Sequence, residues 1–200
     1  MEKKFRLRMV RMADGILFAQ REVTRSSGNK LFEIDAKNAL ELYMRYLGPA
    51  DAEKLPGSAL LFPLSVITPG SPMPVIRTIL SIDKEENSMT FAGDIPERSK
   101  VRFMRANFDK LNAAAAKAAQ QTLEGKNTKP DFSLLVSCVG RKLILGDRID
   151  EEVEAVIETL GDKTPVAGFY SYGEISPFNE GGNCRLHNQT MTITSFYELS

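Results

Sequence analysis

The sequence predicts an α+β fold: a mixed, mostly antiparallel β-sheet with three packing helices, one β-α-β crossover and a C-terminal hairpin. Three observations carry this. Short strand-like runs in the first half are joined by short polar turns, which favours antiparallel neighbours. Three stretches place apolar residues at helical spacing. The last third reads strand, helix, strand, hairpin strand, an order that implies one right-handed parallel crossover and then an antiparallel return.

The elements follow in order. Phe5, Leu7 and Met9 alternate with Lys4, Arg6 and Arg8, as on an edge strand whose cations guard against edge pairing. Residues 16–24 and 30–34 read as two strands around Ser26-Ser27-Gly28-Asn29, where Gly and Asn tolerate positive φ. Asp35 is expected to cap a helix bearing Ala36, Ala39, Leu40, Tyr43, Met44 and Leu47, stopped at Gly48-Pro49. Leu60–Ile67 is expected as a strand with an irregular centre, and proline-rich 68–74 as a loop. Val75–Ile82, Ser88–Ala92 and Lys100–Arg105 then suggest an antiparallel meander, with Asp83–Asn87 and Asp94–Ser99 as its turns.

Asn107 is the expected cap of an alanine-rich helix over about 108–124, with Phe108, Leu111, Ala115, Ala118, Ala119 and Leu123 facing the core and Gly125 at its end. After a polar linker, Phe132–Val139 suggests a strand apolar on both faces. Ile149, Val153, Val156, Ile157 and Leu160 give a third helix ended by Gly161, its start lying between Arg141 and Asp147. Val166–Ile175 is the next strand. A Gly181-Gly182 turn and a final strand with Met191, Ile193 and Tyr197 complete the chain.

Composition narrows function. Lys plus Arg equals Asp plus Glu at 26 each, so no net field favours nucleic acid or an anionic membrane. No apolar run has the length of a membrane span, and no signal-type apolar region follows Met1. Two distant cysteines suit a reducing cytoplasm rather than a disulfide framework. Walker, Rossmann and zinc-protease motifs are missing.

The residues with chemistry gather late in the chain. Cys138-Val-Gly140-Arg141 closes a strand; it reads either as a small buried thiol, a turn glycine and an exposed arginine, or as part of a site. Gly173-Glu174 interrupts a strand beside Tyr172, and such a glycine often marks a bulge or a close approach. His187, the single histidine, follows Cys184 at a metal-like spacing, but a tetrahedral site wants four ligands. A Cys138–His187 nucleophile–base pair has no evident orienting third group. If the strands ending at Cys138 and Tyr172 are parallel, their motifs emerge at one carboxyl edge, where such sheets usually bind ligands. The C-terminal hairpin returns His187 and Asn188 to that edge. Arg141 and Glu174 are expected to pair there.

Several of these segments together resemble the C-terminal domain of the FIST family (F-box and intracellular signal transduction proteins). They are Asn29–Asp35, Tyr46-Leu47-Gly48, Phe91–Pro96, Cys138–Arg141, Leu145-Gly146, Glu152-Val153, Gly168–Pro177 and Leu186–Thr190. The resemblance covers roughly 20–198 and leaves 1–19 as an N-terminal arm or the remnant of an upstream domain. Ala36-Lys37 and Ser99 depart from it, standing where the pattern has glycine.

The resemblance implies a non-catalytic sensory domain that binds a small molecule, such as an amino acid, and signals to kinases, cyclic-nucleotide enzymes or chemoreceptors. It further implies an upstream N-terminal FIST domain, so that the chain is a stand-alone C-terminal domain or a fragment. Ligand-binding residues are then Cys138, Gly140, Arg141, Tyr172, Glu174, His187 and Asn188. Haem, with His187 as its one available imidazole, is the alternative cofactor. A Cys138 enzyme and an interaction module using a sheet edge are the competing functions.

Overall fold

The computed structural model describes residues 4–10 by their backbone, and residues 19–71, 73–177 and 183–198 in full. The start of the strand expected from 16, Pro72 and the Gly181-Gly182 turn lie outside the described residues. The chain divides into two units, Asp14–Ala106 and a second formed by Met1–Ala13 with Asn107–Ser200. The fold is α+β and mostly antiparallel, as the sequence indicates. The first strand, β1 (Lys4–Val10), belongs to the second unit.

The Asp14–Ala106 unit begins with β2 (Arg21–Ser27) and β3 (Lys30–Ile34), which form the expected hairpin through Gly28 at φ +57°. The chain does not enter a helix at Asp35. Asp35 and Ala36 both adopt positive φ, at 52° and 55°, and turn the chain back as β4 (Lys37–Asn38) against β3. The helix α1 (Ala39–Leu47) starts later, and its cap is Asn38, whose side-chain oxygen accepts the Glu41 N–H at 2.9 Å. Asp35 instead accepts the Glu22 N–H and the Arg21 guanidinium, each at 2.9 Å. An Asx side chain caps only the turn whose N–H groups it can reach, and the left-handed pair moves Asp35 out of reach.

Gly48 stops α1 at φ +78°, and Pro49 opens a short helix, α2 (Pro49–Ala52). Leu60–Ile67 is only half a strand. A 3-10 turn occupies Gly57–Leu61, and β5 is Leu64–Ile67. The run from Val75 is likewise divided, into β6 (Val75–Arg77) and β7 (Ile79–Asp83). β8 (Ser88–Phe91) pairs with β7, but β9 (Lys100–Phe103) pairs with β5 and β2 rather than continuing a meander.

The linking segment explains the departure. Its Ile95 is fully buried, the Ile95 N–H donates to Gly28 O at 3.0 Å, and the Arg98 N–H donates to Val23 O at 2.9 Å. The segment is thereby drawn across the β2–β3 hairpin. The strand order is β6-β5-β9-β2-β3-β8-β7. Thr78 alone separates β6 from β7, so the two ends of this ladder are consecutive in the chain. Its core contains Val23, Leu31, Leu64, Val66, Phe91 and Val101, with Leu40 and Tyr43 of α1. The Tyr46 and Phe103 rings stack at 4.8 Å, and the Tyr43 hydroxyl donates to Phe62 O at 2.8 Å.

In the second unit, α3 (Phe108–Leu123) has the expected cap: the Asn107 side-chain oxygen accepts the Lys110 N–H at 3.0 Å. Leu111, Ala115, Ala118 and Ala119 are buried, whereas Phe108 is 40% exposed and lies under the Arg148 guanidinium. β10 is Phe132–Cys138. It is followed by α4 (Val139–Leu145), a 3-10 turn at Gly146–Arg148 and α5 (Ile149–Leu160). The ambiguous helix start is thus two helices, separated by Gly146 at φ +56°.

The strand expected from Val166 breaks at Tyr172-Gly173 into β11 (Val166–Ser171) and β12 (Glu174–Pro177). β12 pairs with β13 (Cys184–His187) as a separate hairpin, and β14 (Met191–Tyr197) closes the chain. The main sheet has the order β1-β14-β10-β11, with β10 and β11 parallel and β14 antiparallel to β10, and β1 is an edge as expected.

β10 is not equally buried on its two faces. Ser133, Leu135 and Ser137 are buried, while Phe132, Leu134 and Val136 are only partly so. The buried face meets the helices: Leu135, Met191 and Ile193 pack with Ala115, Ala118 and Ala119 of α3 and Val156 and Leu160 of α5. Small alanines let a helix approach a sheet closely.

Candidate functional site

Topology brings the late motifs to one end of this sheet. Cys138 and Ser171 are register partners at the carboxyl ends of β10 and β11. Met191 starts β14 opposite Ser137. Glu174 and His187 face each other in the β12–β13 ladder. Contacts then join the groups. The Cys138 N–H donates to Thr190 O at 2.9 Å, and the Thr190 hydroxyl donates to the Glu174 carboxylate. The Ser171 hydroxyl donates to the same carboxylate at 2.6 Å.

The two glycines have steric reasons. A Cβ on Gly140 would stand 3.2 Å from the Gln189 side chain and 3.6 Å from the Cys138 sulfur. One on Gly173 would stand 3.0 Å from Leu186 and 3.6 Å from the Asn188 amide nitrogen. Neither gap admits a larger residue without displacing a neighbour.

Cys138, Gly140, Arg141, Glu174, His187 and Asn188 are all buried. Tyr172 is the exception among the expected site residues, at 91% exposed on the turn between β11 and β12. The His187 Nε2 lies 3.2 Å from Ser176 O. Gln189, at φ +53°, makes the turn from β13 into β14.

Arg141 departs from expectation in both exposure and partner. It has no exposed surface, and its guanidinium pairs with Glu152 of α5 rather than with Glu174. It also donates to Leu111 O of α3 at 2.9 Å, and Ser137 of β10 donates to the other Glu152 oxygen at 3.0 Å. A charge taken wholly out of water needs a partner and further hydrogen bonds, and Glu152 with Leu111 provides these. One sequence signal for Glu152 existed. It lies on the same helical face as Ile149, Val153 and Val156, so an acid there stands at a core position and requires a buried cation.

Electrostatics follow from this burial. Desolvation pushes the Glu174 carboxyl above the ordinary range, against the hydroxyls of Ser171 and Thr190 and the attraction of Arg141. Burial, with Glu174 nearby, pushes the Cys138 thiol up as well. Two side-chain atoms within the cluster are buried without a hydrogen-bond partner, Arg141 Nη1 and Asn188 Oδ1.

Metal ligation gains nothing here. Among the described residues no group of three or more His, Cys, Asp or Glu is placed to hold an ion. Cys184 is exposed and His187 buried. Three residues apart on a strand, they point to opposite faces. In the other unit, a groove of about 210 Å³ is lined by Lys37, Asn38, Glu41, Leu42 and Arg45. No helix among the described residues is long and apolar enough to cross a membrane.

Comparison with known proteins bears on the whole arrangement. No curated protein and no solved structure matches the chain. A family model, the FIST C domain, matches residues 39–177, a span that includes Cys138, Gly140, Arg141, Tyr172 and Glu174 but ends before His187 and Asn188. With well over half of its length in that match, the chain belongs to the FIST C domain family.

Proposed function

We infer that the chain is a small-molecule-binding sensory domain whose ligand contacts the polar cluster at the carboxyl end of β10 and β11. The family is one of sensory and signalling domains, which supplies the class of function. The carrying observation is local: Arg141 Nη1 and Asn188 Oδ1 are buried without partners. A buried polar atom left unsatisfied costs about 1–3 kcal/mol and calls for an explanation. A polar metabolite able to accept from one and donate to the other supplies it. An amino acid has both functions. Tyr172, exposed on the turn two residues before Glu174, is the contact that the ligand meets from solvent.

An enzyme reading is less well supported. A nucleophilic cysteine needs a depressed thiol pKa, whereas burial and the neighbouring acid move Cys138 the other way. Haem also fits poorly. An axial imidazole must turn a ring nitrogen to the iron, and His187 is 1% exposed with Nε2 against Ser176 O. Binding in the cytoplasm, relay to a kinase or chemoreceptor, and cooperation with an upstream N-terminal FIST domain belong to the same proposal.

Titration calorimetry with the free amino acids as probes tests it, each on the wild type and on Asn188→Leu. Measurable binding lost in Asn188→Leu is expected. Binding that survives in the variant, or none in the wild type across the set, removes the reading.

A further inference from the structure

The two edges of the main sheet are built differently. β1 carries Lys4, Arg6 and Arg8 in its sequence, so a second copy paired along that edge would meet like charge. β11 ends the ladder at the other side among the described residues. From Thr164 to Gly173 the chain there has no charged residue and no proline after Pro165. Ala167 and Gly168 are exposed, and Phe169 is 59% exposed. Open strand edges are normally blunted by charge, proline, bulges or a covering element. This edge has none of the first two along its length, and no described strand lies beside it.

We propose that β11 is a homodimerisation edge, pairing antiparallel with β11 of a second copy to continue the sheet across a two-fold axis. A two-fold contact sets the same patch against itself, so the patch must be self-complementary. An uncharged strand satisfies that condition, and the cationic β1 does not. Phe169 reinforces the choice. Its register partner on β10 is Val136, so it stands on the sheet face opposite the helices, where Leu134 also lies. A second copy extends this face and covers an aromatic ring now in water. Backbone pairing supplies the remaining hydrogen bonds, as in strand-addition complexes generally.

Sedimentation velocity of the 200-residue chain over a wide concentration range tests this. The wild type is expected to form a reversible dimer. Phe169→Lys and Ala167→Lys place like charges across the axis and are expected to weaken association at least about tenfold, equivalent to 1.4 kcal/mol. Leu80→Lys, an exposed site in the other unit, is expected to leave it unchanged. Thermal melts confirm folding; should Phe169→Lys unfold, Ala167→Lys decides alone. A monomer at every concentration overturns the proposal, as does a dimer indifferent to the lysines or equally weakened by Leu80→Lys.

Discussion

Arg141 and Glu152 form an ion pair with no solvent exposure on either side chain, tying the start of α4 to α5. Leu111 O and the Ser137 hydroxyl complete the arrangement from α3 and β10. Four elements of one unit therefore converge on one guanidinium–carboxylate contact, immediately beside Cys138. Arg141 therefore holds the fold together rather than pairing with Glu174.

Arg141→Ala is expected to destabilise the second unit by about 3–5 kcal/mol, because Glu152 is left charged and buried. Replacing both partners, Arg141→Met with Glu152→Leu, is expected to recover most of that loss. Urea unfolding followed by circular dichroism measures both. Equal losses in the single and double variants contradict the pairing.

Glu174 provides a pH signature. Its folded-state pKa is raised, so the folded protein holds the proton more tightly than the unfolded chain. The associated stability is fully present below the ordinary carboxyl value of 4.5 and is lost as pH rises through the higher folded value. Glu174→Gln removes this loss. Melting curves from pH 4 to 8 should show the variant gaining on the wild type as pH rises, and no such divergence counts against a raised pKa.

Thiol accessibility separates the two cysteines. Cys184 is exposed and Cys138 is buried with its pKa raised. A disulfide-exchange reagent is expected to label Cys184 rapidly in the native protein and Cys138 only after denaturation. Fast labelling of both would revive the enzyme reading.

Ala36 holds φ +55° in the turn before α1. Left-handed backbone costs a residue with a Cβ about 1–2 kcal/mol and glycine little. Ala36→Gly is therefore expected to raise stability by about 1 kcal/mol, after the entropy glycine adds to the unfolded chain is deducted. Chemical denaturation at constant slope reads this directly.

Ser99 is fully buried with its hydroxyl unpartnered. Its backbone is engaged on both sides, with Val23 and Pro96. Ser99→Ala keeps those bonds and deletes the orphan, and is expected to stabilise by up to about 1 kcal/mol. A destabilised variant would falsify the view that this hydroxyl lacks a partner.

The sequence by itself determined the fold class, the alanine-rich helix with its Asn107 cap, the parallel β10–β11 crossover and the gathering of Cys138, Gly140, Glu174 and His187 at one sheet end. These depend on local periodicity, on caps three residues from their targets, and on the order of elements. Only the tertiary structure decided that β9 leaves β8 for β5 and β2, that Asn38 replaces Asp35 as a cap, and that Arg141 turns inward to Glu152 while Tyr172 stays in water. Those outcomes depend on burial and on partners far along the chain. A charged side chain's neighbour is chosen by whichever opposite charge shares its dry compartment, and hydrophobic periodicity records the compartment but not the partner.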